Sequence, residues 1–475
     1  MKRFESLFFS VALLAAGGCS SSTGSTAPPT ASPQKGIQHI VILVQENRSF
    51  NNIFAGFPGA RSALTGACLP AKWCQGSNVA KLHSVKLEST GSPYFGTDID
   101  HSHHGFGIEC NATASDVCQN NGFDLIRFGE SGQGLPAKLY PYAYVDRAES
   151  APYWNLAKQY SLADEMYFTE TASSFIAHQA LLSGSVEIND RESLTDQPNN
   201  NPWGCDAPGP HSGPKQFTWT PVLFKDGRYD SQGPFPCFDY GTIADLLDAK
   251  GVSWHYYVDS FKSGPNFDFS GAVWNGYDGI KKVRYGPDWK NNISIPNTNV
   301  FTDLKGGTLP SVSWVIPTLF DSDHPASGCN GGPYWITKVV DAIGTSKYWN
   351  NTAVVLLWDD WGGWYDPEPP AQIWYTRLGF RVGLVMISPY AKAGSVSHTN
   401  YDFGSILKFI EETFGLGSLG TTDATANSLS DMLDLNQKPI KFTNAALPPV
   451  LSCGKQNSDP NATKAIIQHD GGVPE

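Results

Sequence analysis

Continuous apolar runs mark the strands of this chain. Residues 40–44 are all apolar, and five polar residues, 45–49, follow them directly. A run without polar alternation is typical of a strand buried on both faces of a parallel sheet. Apolar stretches at 309–317, 354–357 and 381–389 predict further strands of this kind. The pattern therefore predicts a central sheet that is mainly parallel.

Helical patterns alternate with these strands. The predicted helices are 174–182, 242–250, 334–343 and 404–414, together with a short helix at the start of 151–167. An alternation of strands and helices predicts a three-layer α/β/α sandwich. Two segments, 56–92 and 189–238, are rich in glycine, proline, cysteine or polar residues and are expected to form loop-rich insertions.

The N-terminus is typical of an export signal. A basic start precedes an apolar stretch, 7–16, which is too short to span a membrane as a mature helix. The following Ala-Gly-Gly-Cys resembles a lipobox that ends at Cys19. We expect residues 1–19 to be a signal peptide of the lipoprotein type and 20–36 to be a flexible tether. Cleavage followed by release of a soluble protein is the alternative.

The charge of the chain restricts its partners. A net charge of −12 argues against nucleic acid, because binding a polyanion requires a basic face. It does not exclude small phosphate esters, since a metal ion can supply the local positive charge. The expected contact with a membrane is through the lipid anchor alone.

Eight cysteines remain beyond Cys19, an even number that suggests up to four disulfides in an exported chain. Many pairings are formally possible. Pairing between neighbours along the chain is the simplest hypothesis and gives Cys68–Cys74, Cys110–Cys118, Cys205–Cys237 and Cys329–Cys453.

Polar residues stand at the carboxyl ends of two predicted strands, where open α/β sheets bind ligands. Asp359 and Asp360 follow one strand, and two adjacent carboxylates are unfavourable unless a cation holds them together. A simple turn is the alternative. Glu46 and Asn47 follow another strand, where the alternative is a helix start capped by Asn47 or Ser49.

Further candidate residues lie at a helix start and in loops. Ser174 begins a predicted helix, where amide groups and the helix dipole favour a phosphate, although an ordinary N-cap explains a serine there as well. His101 lies with His103 and His104 in a polar loop that could equally be a solvated turn. His324 lies in a second acidic loop.

Five segments, in this order, resemble the bacterial phosphoesterase family of phospholipases C and acid phosphatases. The resemblance extends over roughly residues 37 to 434. The segments are ENRSF at 46–50, DIDHS at 98–102 with His101, SSFIAHQ at 173–179, SDHP at 322–325 and DDWGGWYD at 359–366. A closing stretch at 390–416 follows them. The resemblance implies the alkaline-phosphatase-like superfamily.

The resemblance also implies roles for individual residues. One divalent cation (Mg, Ca, Mn or Zn) is expected on Glu46, Asn47, Asp359 and Asp360. Ser174 corresponds to the nucleophile, with Ser173 as the alternative. His101 and His324 correspond to histidines at the phosphoryl group, where they stabilise its oxygens or protonate the leaving group.

The chain departs from the family pattern at two places. Ser173 and Ile176 replace the two prolines of the family string PSFPAHQ. Pro367 and Glu368 replace the His-Val pair that follows the second acidic motif. If that histidine has a catalytic role in relatives, this chain lacks it.

Taken together, the sequence predicts an exported metal-dependent phosphoester hydrolase with a catalytic domain at 37–434 and a C-terminal tail at 435–475. The chain stops soon after the closing motif, which favours a broad-range acid phosphatase. The alternative is a phospholipase C that cleaves diesters such as phosphatidylcholine. A non-catalytic, ligand-binding surface lipoprotein is the alternative of another class. The expected substrate is a small phosphate ester or a phospholipid.

Overall fold

A computed structural model describes most of the predicted catalytic domain. The described residues are 36–71, 73–87, 98–129, 132–209, 217–262, 268–327, 330–370, 372–373, 376–445 and 447–448. The predicted signal peptide, the tether up to residue 35, Cys19 and the predicted Cys329–Cys453 pair lie outside these ranges.

The structure contains short and long strands. In chain order they are β1 (His39–Gln45), β2 (Thr65–Ala67), β3 (Val79–Lys81), β4 (His83–Val85), β5 (Ala143–Val145), β6 (Ser161–Ala163), β7 (Glu187–Asn189), β8 (Glu192–Leu194), β9 (Val222–Phe224), β10 (Tyr229–Asp230), β11 (Trp254–Tyr257), β12 (Ile293–Ser294), β13 (Val312–Val315), β14 (Thr352–Trp358), β15 (Gln372–Ile373), β16 (Thr376–Arg377), β17 (Leu384–Ile387) and β18 (Ser395–Ser397).

Eight of these strands form the central sheet, in the order β12-β11-β13-β1-β14-β17-β6-β18. β17 runs antiparallel to both of its neighbours, and the other seven strands are mutually parallel. The prediction of a mainly parallel sheet is confirmed. β1 and β14 lie side by side at its centre, with Leu43 opposite Leu356 and Gln45 opposite Trp358. The polar residues that follow the two strands therefore meet at one edge.

Helices cover the sheet in two groups. The helices are α1 (Phe50–Phe54), α2 (His103–Cys110), α3 (Arg147–Gln159), α4 (Ser174–Ser183), α5 (Ile243–Lys250), α6 (Ser270–Val273), α7 (Lys281–Arg284), α8 (Asp288–Asn291), α9 (Asn299–Gly306), α10 (Gly331–Gly344) and α11 (Phe403–Phe414). α3 contacts α1 and α10, and α10 contacts α9, whereas α4 contacts α5 and α11. With both faces of the central strands buried, this is the predicted α/β/α sandwich. No helix within the described ranges is long and apolar enough to cross a bilayer.

Two peripheral regions carry structure that the sequence did not specify. The loop-rich insertion at 189–238 also holds most of a small antiparallel sheet, β10-β9-β8-β7. Residues 435–445 pack on the domain, where Trp349 Nε1 donates to the Ile440 carbonyl at 2.9 Å and stacks edge-on against Phe442.

Three disulfides join cysteines that are neighbours along the chain, as predicted. They are Cys68–Cys74, Cys110–Cys118 and Cys205–Cys237.

Candidate active site

The ends of β1 and β14 hold four polar side chains in one place. The Asp359 amide donates to the Gln45 carbonyl at 2.9 Å, and the Asn47 amide donates to Asp359 Oδ1 at 2.9 Å. Glu46 and Asp360 stand beside them, and all four predicted metal ligands are completely buried. Adjacent parallel strands thus bring together residues that lie more than 300 positions apart in the sequence.

A close approach of two backbones explains the glycine after the Asp359-Asp360 pair. Gly362 has a φ of +58°, and a Cβ built there would lie 2.3 Å from the Asn47 carbonyl oxygen. Any other residue at this position would clash with that carbonyl. Asn47 itself has a φ of 58°, in the left-handed region that asparagine tolerates better than most residues.

Ser174 faces the strand ends from the start of α4. Its Oγ donates to Asp360 Oδ2 at 3.2 Å and lies 3.5 Å from Asn47 Oδ1. Ser173, the N-cap, points elsewhere and donates its hydroxyl proton to Gln197 Oε1. The hydroxyl that reaches the acidic cluster is therefore that of Ser174.

His178, one helical turn after Ser174, joins the same cluster. Its Nε2 lies 3.2 Å from Glu46 Oε1 and 3.9 Å from Asp359 Oδ2. Burial lowers the pKa of His178 to about 4, although the charge of Asp359 opposes this. The ring is therefore neutral at pH 7 and able to bind a metal. Sequence reasoning did not assign His178 a role, although residues at i and i+4 share a helix face.

Glu46, His178 and Asp359 form a candidate metal site. Each offers one ligand atom, and these atoms lie within 4.8 Å of one another. Asp359 Oδ2 is buried and accepts no hydrogen bond from the described part of the chain. Carboxylate oxygens with one imidazole nitrogen are donors that suit several divalent cations. Asn47 and Asp360, the other two predicted ligands, lie on the side of Ser174.

Acidic residues accumulate around the serine. Burial raises the pKa of Asp360 well above its ordinary value, and the neighbouring charge of Asp359 raises it further. Two buried carboxylates in contact are unfavourable without a positive charge between or beside them. The donor set and its charge therefore fit a divalent cation.

His101 contacts the cluster through Asn47. Its Nε2 lies 3.0 Å from Asn47 Nδ2, and its Nδ1 donates to the Ile99 carbonyl at 2.6 Å. Burial lowers the pKa of His101, but the charges of Asp360 and Asp98 outweigh this and raise it to about 9.

The loop before His324 is tied to the end of β1. Arg48 donates from Nε and Nη2 to the Asp323 carbonyl at 2.9 and 2.7 Å, and the Asp323 amide donates to Gln45 Oε1 at 2.8 Å. The Asp323 carboxylate accepts hydrogen bonds from Tyr153 at 2.8 Å and Trp358 at 2.9 Å. These anchors, which the sequence did not reveal, fix the position of the next residue, His324.

His324 is buried between aromatic rings. Its ring centre lies 5.6 Å from that of Trp274 and 6.1 Å from that of Phe269. Burial lowers the pKa of His324 well below its ordinary value, and the charges of His101 and Arg48 lower it further. The His324 ring is therefore neutral, and the charge of the nearby His101 contributes to this.

Other residues singled out by the sequence lie outside this cluster. His103 Nδ1 contacts Thr171 Oγ1 at 2.7 Å, and His104 is exposed. After Asp359 and Asp360 in the sequence comes Asp366, which is completely buried. It forms a bidentate ion pair with Arg381, at 2.8 Å to Nε and 3.1 Å to Nη2. Pro367 directly follows this ion pair.

Comparison with known proteins supports one family. The Phosphoesterase family profile matches residues 37–417. The chain is 25% identical over 432 residues to hemolytic phospholipase C of Pseudomonas aeruginosa, covering 80% of this chain and 53% of that protein. It is 24% identical over 428 residues to phospholipase C A of Mycobacterium tuberculosis, covering 80% and 73%. The chain thus spans about half the length of the first relative.

Two further similarities are to a plant protein and to a solved structure. Non-specific phospholipase C6 of Arabidopsis thaliana is 24% identical over 304 residues, which cover 57% of this chain and 55% of that protein. A protein of the alkaline phosphatase superfamily from Vibrio parahaemolyticus aligns with 86% of this chain and 77% of its own, with 11% identity and a TM-score of 0.37.

Proposed function

This chain belongs to the Phosphoesterase family, and on that premise we propose that it hydrolyses phosphoric esters with Ser174 as the nucleophile. The observation that carries the proposal is the contact of the Ser174 hydroxyl with Asp360 at a helix start. Beside it, Glu46, His178 and Asp359 offer ligand atoms for a cation. A nucleophile, a candidate metal site and buried histidines in one place are the parts of a phosphoryl-transfer site.

Glu46, His178 and Asp359 would hold the divalent cation, with Asn47 and Asp360 next to it. A cation bound there would polarise a phosphate oxygen and lower the pKa of a nearby hydroxyl. The set differs from the one implied by resemblance in adding His178. The identity of the cation stays open among Mg, Ca, Mn and Zn.

Ser174 attacks phosphorus in the proposed reaction. A bond forms between its Oγ and phosphorus while the bond to the ester oxygen breaks, and the hydroxyl proton passes to Asp360 Oδ2, 3.2 Å away. His101, which carries the extra proton, stabilises the phosphoryl oxygens or protonates the departing oxygen, and the neutral His324 stabilises a phosphoryl oxygen. Water then hydrolyses the phosphoserine and releases phosphate or a phosphomonoester.

The start of α4 provides further stabilisation. The amides of Ser174 and Phe175 donate no hydrogen bond to the described part of the chain. Together with the helix dipole they favour a bound anion, with a contribution of about 0.3–1 kcal/mol from the dipole itself. We assign these two amides to the phosphoryl oxygens.

Two substrate classes fit this site. The sequence analysis favoured a broad-range acid phosphatase, whereas the relatives described above are named phospholipases C. Those names favour a phosphodiester as the second candidate substrate. We expect the enzyme to accept small phosphate esters, with phospholipids as the alternative.

Two chromogenic esters test the function. We expect purified protein to hydrolyse p-nitrophenyl phosphate or p-nitrophenylphosphorylcholine, to lose that activity in a chelator and to regain it with added divalent cation. The ratio of the two rates separates monoesterase from diesterase activity. Failure to hydrolyse either ester in any of the four metals would favour the non-catalytic surface lipoprotein.

Export is the second part of the proposal, supported by the N-terminal signal and the cysteine pairs. We expect Cys19→Ala to move the protein from the membrane fraction to the soluble fraction, because it removes the site of lipid attachment. Fractionation followed by immunoblotting measures the change. A wild-type protein that is already wholly soluble after export would contradict the anchor.

A further inference from the structure

The N-cap of α4 does not cap its own helix. An N-cap serine usually turns its hydroxyl back to accept a hydrogen bond from the second or third amide of the helix. Ser173 is in the N-cap position, but its side chain makes no such bond. Its hydroxyl donates to Gln197 Oε1 instead. Ser173 is completely buried, so this side-chain hydrogen bond takes the place of water.

This arrangement leaves part of the first turn open. The Ser173 carbonyl accepts the amides of Ile176 at 3.0 Å and Ala177 at 3.2 Å. The Phe175 amide, the second in the helix, has no acceptor within the described ranges, and neither has that of Ser174. A capping Ser173 hydroxyl would therefore take the Phe175 amide, since Ile176 is already bonded.

Gln197 is held in place by the insertion. The neighbouring Asp196 accepts the His103 amide at 2.8 Å and the Tyr229 hydroxyl at 3.3 Å. On the other side, the Asn199 amide donates to the Trp219 carbonyl at 3.1 Å. The loop that carries Gln197 is thus fixed to α2 and to β10 of the small sheet.

We propose that Gln197 is a positioning residue, which holds the Ser173 hydroxyl away from its own helix and so leaves the Phe175 amide to bind a phosphoryl oxygen. The inference rests on the proposed function, because it assumes that a phosphoryl group binds beside Ser174. Gln197 itself need not touch the substrate. Its effect passes through Ser173.

A departure from the family pattern is consistent with this role. The family string has proline where this chain has Ser173, and proline has no hydroxyl that could cap the helix. The φ of Ser173 is −76°, within the range that proline adopts. A chain with proline here would need no side chain at the position of Gln197 to keep the amide open.

Binding of inorganic phosphate to the full-length metal-loaded protein tests the proposal without requiring turnover. We expect Gln197→Ala to weaken phosphate binding by about tenfold, the order of one lost hydrogen bond to a charged oxygen. Isothermal titration calorimetry gives the affinity, and KM for the better ester should rise with it. The matched control is Gln38→Ala. Gln38 also accepts a side-chain hydrogen bond, from Asn351 at 2.7 Å, but lies next to the opposite end of β1.

A double substitution separates positioning from a general structural effect. Removing the Ser173 hydroxyl should make Gln197 dispensable, so Ser173→Ala/Gln197→Ala and Ser173→Pro/Gln197→Ala should bind phosphate within about twofold of wild type. Double variants as weak as Gln197→Ala would overturn the proposal, and so would a Gln197→Ala protein of unchanged affinity. A wild type that binds phosphate but cleaves no ester would contradict only the proposed function.

Discussion

Two buried carboxylates, Asp360 and Asp366, lie close together in the sequence, yet their surroundings differ. Asp366 meets the guanidinium of Arg381 through two hydrogen bonds and also accepts the amide of Asn51 at 3.2 Å. Asp360 accepts a serine hydroxyl and the amide of Gly362 at 2.7 Å, and its charged neighbours are another aspartate, Asp359, and His101. Both Asp360 and Asp366 are completely buried.

The difference separates a structural carboxylate from a functional one. Burial raises the pKa of Asp366 and of Asp360, but the charge of Arg381 lowers that of Asp366. The charge of Asp359 raises the pKa of Asp360 further, by more than His101 lowers it. The protein itself balances the charge of Asp366. The adjacent buried carboxylates of Asp359 and Asp360 are unfavourable without a positive charge beside them. We therefore place the cation next to these two residues.

The largest expected effect comes from the serine that contacts Asp360. Ser174→Ala should lower kcat by several powers of ten, ~4–8 kcal/mol in barrier, because the covalent route is lost. Phosphate binding should survive, since the amides and carboxylates remain. Rapid quenching of wild type with substrate, followed by peptide mass spectrometry, should find phosphate on Ser174.

Two outcomes would contradict this assignment. A phosphate trapped on Ser173 or on a histidine would move the nucleophile elsewhere. Near-normal turnover by the alanine variant would exclude a serine mechanism, and Asp360 would then lose its proposed role as proton acceptor.

The next largest effect is expected on the stability of the fold and concerns Asp366, the structural carboxylate. Arg381→Met should destabilise the fold by about 3–5 kcal/mol, because it leaves the buried charge of Asp366 unpaired. Urea unfolding followed by circular dichroism measures the loss. The matched control is Arg61→Met, whose side chain is 52% exposed and pairs with Glu165 at 2.7 Å. An exposed pair of this kind contributes little to stability, so this substitution should change it far less than Arg381→Met. Equal losses of stability in the two variants would contradict the structural role assigned to the buried Asp366–Arg381 pair.

The smallest expected effect is the stabilisation by a cation bound at the functional carboxylates, Asp359 and Asp360. A saturating divalent cation, at about 100 times its Kd, should stabilise the wild type by about 2.7 kcal/mol. Asp359→Asn should abolish that response and the activity while leaving the metal-free fold intact, whereas Arg381→Met should keep the response. Thermal unfolding with and without cation gives all three results. Full activity in metal-free wild type would exclude the proposed mechanism.

The strands could be predicted because burial on both faces needs unbroken apolar runs, as in 40–44 and 354–357. The direction of β17 could not, because an apolar run reads the same in either orientation. The strands of the insertion were also missed. Those of its small sheet are two or three residues long, too short for an alternating pattern to be recognised.

The candidate site divides in the same way. Glu46 and Asp359 stand directly after strong strands, so their meeting follows from the sheet alone. Arg48 and Gln197 act through partners far away in the sequence, at Asp323 and Ser173, and no local pattern encodes such contacts. His178 had a usable signal, its position one turn after Ser174.

The three disulfides have a consequence for biosynthesis. Their cysteines are 6, 8 and 32 positions apart, and none of these six lies in a strand of the central sheet. Each of these three bridges closes a local loop, so the sheet can reach its native strand order before these six thiols are oxidised. A chain synthesised in a reducing cytoplasm should therefore already assemble the two strand ends. Oxidation of these three pairs would then secure the loops around them, and these cysteines could be lost in evolution one pair at a time.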